Sequence, residues 1–105
     1  MIRTMLRFET DPEQSETVVK RVIESGLFEA AVELTGAISC EMLQDTNSPG
    51  SFVMLALWEN EEAYAAWRNH PSRDEIGGTI NDLDLVMTGS VYEIRTRVPA
   101  GDASS

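Results

Sequence analysis

The chain has a single cysteine, Cys40, in 105 residues. An internal disulfide framework is therefore impossible, and a multi-thiolate zinc site is excluded by the same count. An unpaired thiol suits a reducing compartment, so the expected location is cytoplasmic. Histidine is equally scarce. His70 stands alone, and no imidazole cluster is available to hold a metal. Basic residues are few, 8 Lys and Arg against 18 Asp and Glu, for a formal charge of −10. Nucleic acid and anionic membranes both need a positive footprint, so neither is an expected partner. The acidic excess itself serves solubility. The longest apolar run is too short to cross a bilayer, and the opening Met1-Ile2-Arg3-Thr4 lacks the apolar core of a signal peptide. No fixed-period repeat, glycine-rich phosphate loop, nucleophile elbow or P-loop is present.

What is present is most telling between Ser51 and Trp58. The run Ser-Phe-Val-Met-Leu-Ala-Leu-Trp follows a Pro49-Gly50 turn and is closed by Glu59-Asn60-Glu61-Glu62. That reads as a strand entering an acidic helix. Phe52, Met54, Ala56 and Trp58 fall on one face, Val53, Leu55 and Leu57 on the other, so both faces must be shielded from water.

The remaining elements fall in order around it. Ile2 to Glu9 alternates as a strand. Asp11-Pro12-Glu13-Gln14 is a helix start, with Asp11 as cap and Pro12 at the first helical position. Val19, Val22, Ile23, Leu27, Ala30, Ala31 and Leu34 recur at helical spacing and predict one apolar stripe, interrupted at Gly26 and ended at Gly36. Residues 37 to 44 read as a second strand, joined to the third by the turn-rich 45 to 50. Asn60 caps a short helix carrying Ala63, Tyr64 and Trp67. His70-Pro71 breaks it, and a further helical piece is predicted through Ile76, with Ile80 and Leu83 completing an apolar face beyond Gly77-Gly78. Val86 to Val98 is the last strand.

The order β-α-β-β-α-β predicts an α+β, ferredoxin-like domain over residues 1–98, with a four-stranded antiparallel sheet and helices on one side. Residues 99–105 are small and polar and read as a flexible tail. The sheet face without helices would be an exposed apolar patch, and a back-to-back homodimer would cover it.

The run from Phe52 to Pro71, an apolar strand ending in Trp58-Glu59 followed by a short acidic helix with aromatic residues, resembles the signature stretch of the antibiotic biosynthesis monooxygenase family of dimeric α+β barrels. The resemblance implies that fold, a homodimer, and for some members oxidation of anthrones or quinols by molecular oxygen with neither metal nor flavin. In those members an asparagine on the third strand works with the Trp that ends it and a Tyr of the next helix. Trp58 and Tyr64 match; the asparagine position falls on Met54. Haem-degrading members are matched at Trp67, but they also use a histidine where Gly77-Gly78 stands and an asparagine in the first strand, which here reads Leu6-Arg7-Phe8.

The expected site is a pocket between sheet and helices for a hydrophobic aromatic, polyketide-like or quinol molecule. Tyr64, Trp58 and His70 are its catalytic candidates; Trp67, Arg7, Met54 and Tyr92 are its substrate-binding candidates; no metal and no cofactor are expected. Tyr64 and Trp67, three apart, share a helix face and can stack on a ring while their polar tips orient it. They can equally be core aromatics. His70, the chain's single imidazole, can serve as base, or can lie at the surface of a helix junction. Arg7 can hold a carboxylate or phenolate, or pair with Glu9 or Glu93. Cys40 reads as a small inert hydrophobe. The alternative function is a non-catalytic small-molecule-binding module, or a cyclase or isomerase helper, of the same fold.

Overall fold

The computed structural model describes residues 1–71, 73 and 87–98. Strand β1 (Ile2–Glu9) runs up the middle of the sheet. Asp11 then turns the chain: its carboxylate accepts the Glu13 N–H at 2.9 Å, and Pro12–Gln14 forms a single 3-10 turn that leads into α1 (Ser15–Ser25).

Two helices stand where the apolar spacing predicts one. Gly26 adopts φ 71°, a left-handed conformation that glycine takes without the Cβ penalty. It closes α1, donating to the Ile23 carbonyl, and its own carbonyl accepts from Ala30 at the start of α2 (Leu27–Thr35). The break resets the phase of the buried face, which corrects the predicted stripe. Val18 and Val22 are buried on α1 and Ala31 on α2, whereas Ile23 and Leu34 are 65% and 50% exposed.

Strands β2 (Ser39–Gln44) and β3 (Ser51–Trp58) form the expected hairpin, with Gln44 opposite Phe52. In its turn the Asp45 carboxylate accepts the Asn47 N–H at 2.7 Å. Gly50 lies hard against the end of β1. Thr10 N–H donates to its carbonyl at 2.7 Å, and any Cβ on Gly50 would collide with the Thr10 carbonyl oxygen.

Helix α3 (Glu61–Arg68) is capped as predicted, the Asn60 amide oxygen accepting the Ala63 N–H at 2.9 Å. Glu61 and Glu62 occupy its first turn, where the helix dipole favours negative charge. The chain leaves the helix at Asn69, and Pro71 and Arg73 are helical again. The expected continuation through Ile76, Gly77-Gly78, Ile80 and Leu83, together with Val86 and the 99–105 tail, lies outside the described residues.

Strand β4 is Met87–Glu93, shorter than the predicted run to Val98. Among the described residues it pairs only with β1, and Glu93 already faces Ile2 at the start of that partner. One further bond, Ile94 N–H to the Met1 carbonyl, exhausts the ladder. Residues 95–98 have no strand partner among the described residues and are not in the sheet.

The four antiparallel strands take the order β2-β3-β1-β4, so the fold is α+β and ferredoxin-like. Register sorts the side chains. Ile2, Thr4, Leu6 and Phe8 of β1 stand beside Trp58, Ala56, Met54 and Phe52 of β3, all facing the helices. Two buried clusters fill that side, one around Phe8, Phe52, Met54, Val18 and Val22, the other around Ile2, Trp58, Ala31, Ala37 and Trp67. Phe8 and Phe52 stack at 5.2 Å. Their burial removes the apolar area that drives the fold, at about 25 cal/mol per Å². On the opposite face Met5, Val53 and Leu55 are half-buried, and Leu43 and Tyr92 are 45% and 49% exposed. No described helix is long and apolar enough to cross a membrane.

Candidate functional site

A cavity of about 290 Å³ lies between the sheet and helices α2 and α3. Its floor is built from the helix-facing positions of the strands: Thr4 and Leu6, Met54, Ala56 and Trp58, with Cys40 beside Ala56. Leu27, Phe28 and Ala31 of α2 and Tyr64 and Trp67 of α3 enclose it from the other side. The cavity exists because one row across the sheet, Cys40, Ala56 and Thr4, carries small side chains. The neighbouring row carries the larger Met42, Met54 and Leu6 and ends on β4 at Gly89, which also lines the cavity.

The aromatic wall is held in place by specific contacts. Trp58, 1% exposed, packs its ring 5.6 Å from that of Tyr64, tilted by 57°. Its indole N–H donates to the Thr4 hydroxyl oxygen at 3.0 Å. The Arg68 guanidinium sits 5.4 Å from the Tyr64 ring centroid, a cation–π contact that steadies the phenol. Trp67 is buried beside Ala31 in the core cluster that abuts the cavity.

Electrostatically the interior is quiet. Among the described residues lining it, Arg73 is the only charged one, and there is no carboxylate and no imidazole. Burial raises the Cys40 thiol above its ordinary value, and the charge of Glu29 raises it further, so the thiol keeps its proton at neutral pH. A single protonated thiol is a poor donor set for a metal. Among the described residues no group of three potential ligands converges anywhere.

Four of the seven predicted site residues come together here: Trp58, Tyr64, Trp67 and Met54. Arg7 and Tyr92 do not. Strand alternation puts Arg7, opposite Val53, and Tyr92, opposite Arg3, on the sheet face away from the helices. His70 lies past the end of α3, half-buried, its N–H bonded to the Trp67 carbonyl at 3.0 Å and its ring not lining the cavity. Sequence reasoning missed Thr4, Phe28 and Arg73. Thr4 was within reach, because it shares the parity of Leu6 and Phe8; its neighbours Ala56 and Trp58 emerge only from the register.

The sequence profile of the antibiotic biosynthesis monooxygenase family matches residues 1–76. No curated protein matches the chain in sequence. Among solved structures, a candidate antibiotic biosynthesis monooxygenase from Deinococcus radiodurans superposes with a TM-score of 0.79 at 15% identity, over 95% of this chain and 98% of that one. SnoaB, a cofactor-independent oxygenase from Streptomyces nogalater, gives 0.70 at 17% identity over 94% and 97%. Rv0793 from Mycobacterium tuberculosis gives 0.73 at 12% identity over 93% and 98%. At these identities the structural likeness establishes the fold.

Proposed function

The chain belongs to the antibiotic biosynthesis monooxygenase family, and on that premise we propose that its cavity binds a flat aromatic, polyketide-like or quinol substrate and supports its oxidation by molecular oxygen without a metal or flavin. The cavity carries this reading. Its 290 Å³ is walled by Trp58, Tyr64 and Trp67 over an apolar floor. A fused three-ring ketone needs roughly 250 Å³ at interior packing density.

The chemistry asked of the protein is modest. An anthrone-type methylene gives up a proton to solvent water, to be returned at the peroxide stage, and the ring-stabilised carbanion passes one electron to oxygen. Recombination of the radical pair forms a carbon–oxygen bond, and the resulting hydroperoxide loses water. One oxygen atom stays as a ketone, the other leaves as water, and the substrate supplies all the electrons. The residues bind and orient the rings by stacking, keep water from the reactive intermediate, and favour the anionic form of the substrate. Arg73 is the one described group whose charge acts in that last sense. Oxygen consumption with an anthrone, above the spontaneous rate, tests the proposal.

One observation favours a second reading. Met54, buried in the floor, offers no useful hydrogen bond where oxygenases of this family carry an asparagine. A binding module, or a cyclase or isomerase helper, would show ligand-dependent quenching of tryptophan fluorescence with no oxygen uptake.

The homodimer belongs to the same proposal. Met5, Val53, Leu55, Leu43 and Tyr92 lie, with Arg3, Arg7 and Glu41 between them, on a sheet face that no described helix covers. A second copy placed back to back would bury it.

A further inference from the structure

We infer that the Thr4 hydroxyl is the hydrogen-bond donor that fixes an oxygen atom of the bound ligand; this deepens, and rests on, the reading of the cavity as a ligand site. Three observations converge. First, the Trp58 indole can only donate, and it spends its N–H on the Thr4 oxygen at 3.0 Å. That oxygen keeps its own proton, which goes to no other described residue.

Second, Thr4 lines the cavity beside Ala56. On the β3 side only the Ala56 methyl stands beside it, with Val91 on the β4 side, so a ligand lying along Cys40 and Ala56 reaches the hydroxyl. Third, apart from the Cys40 thiol, a weak donor, the helix-facing floor residues around it are apolar or spend their N–H on Thr4 itself. Met54, one pair further along on the same face, supplies no donor, and Leu6 lies beside Met54.

The indole also acts on the hydroxyl it touches. Accepting a hydrogen bond polarises an O–H and makes it a stronger donor. Trp58 is thus a positioning residue that orients and strengthens the Thr4 donor, and Thr4 is the residue that touches the ligand. The ligand feature selected is a carbonyl or phenolate oxygen on the edge of a fused ring. An apolar hydrocarbon of the same shape would leave the Thr4 donor unsatisfied on binding, which is the kind of mismatch that discriminates strongly.

The test uses the full chain with fluorenone and fluorene, two rigid three-ring probes differing only in a carbonyl. Wild-type protein should bind fluorenone about tenfold more tightly than fluorene, as one net hydrogen bond implies. The infrared carbonyl stretch of bound fluorenone should move to lower frequency than in an apolar solvent. Thr4→Val should abolish both the tenfold preference and the infrared shift while leaving fluorene affinity within about twofold. Thr4→Ser should restore both. Trp58→Phe should weaken the shift without removing it.

Equal loss of both probes in Thr4→Val, or an infrared shift that survives it, would overturn the assignment of Thr4 while leaving the cavity as a ligand site. Failure of the wild-type protein to bind either probe would overturn the reading of the cavity and this assignment with it.

Discussion

Ala56→Leu asks whether the space between sheet and helices is a cavity or a packed core. Ala56 sits in the small-residue row of the floor, flanked by Thr4 and Cys40, and lines a volume of about 290 Å³. Leucine adds three carbons, roughly 80 Å³, or about a quarter of that space. If the space is open, the new carbons meet apolar walls. At about 0.8 kcal/mol per buried methylene the upper limit is about 2.4 kcal/mol of added stability, and imperfect fit leaves about 1 kcal/mol. For a domain of this size that raises the melting temperature by about 4–8 °C. If the space is filled, overpacking costs about 1–3 kcal/mol and the melting temperature falls by at least about 4 °C. Differential scanning calorimetry reads the sign, and titration with fluorenone reads the consequence for binding, a loss of at least about tenfold. A lowered melting temperature, or undiminished fluorenone affinity in Ala56→Leu, would refute the cavity.

Three further outcomes follow from other parts of the molecule. Gly50→Ala should cost at least about 2 kcal/mol by urea denaturation, because its Cβ meets the backbone carbonyl of Thr10, which cannot rotate aside. For Cys40, burial followed by the charge of Glu29 holds the thiol above its ordinary 9.0. A group with a raised folded pKa stabilises fully below the unfolded value, and that contribution is lost as pH rises from there through the folded value. Stability should therefore decline above about pH 9 with a slope that Cys40→Ala flattens, as pH-dependent urea titrations would show. On the outer sheet face, Leu55→Arg should convert a dimer to a monomer in light scattering coupled to size exclusion, with little change in circular dichroism. A wild-type chain that is already monomeric at micromolar concentration would remove the dimer.

Much of this architecture was legible in the residues because its signals are local. The strand from Ser51 to Trp58 is bounded by a Pro-Gly turn and a capped acidic helix, and its alternation correctly separated Met54, Ala56 and Trp58 from Val53, Leu55 and Leu57. What stayed hidden depends on non-local geometry. A left-handed Gly26 turns one periodic stripe into two helices of different phase, and within α1 the buried face is Val18 and Val22 with Ile23 outside it. The end of β4 is set by where its partner β1 begins. The floor of the cavity is assembled from helix-facing residues of neighbouring strands, which only the register brings side by side. Arg7 and Tyr92 carry the right chemistry for a ligand site, yet their parity places them on the opposite face.

Oxygen uptake with an anthrone, followed at an electrode on chelator-treated protein, tests the central claim most directly. The account predicts consumption well above the spontaneous rate, one oxygen molecule per anthrone converted to quinone, insensitive to added metal and slowed by Ala56→Leu. Uptake no faster than in buffer, by a protein that demonstrably binds the anthrone, would contradict it.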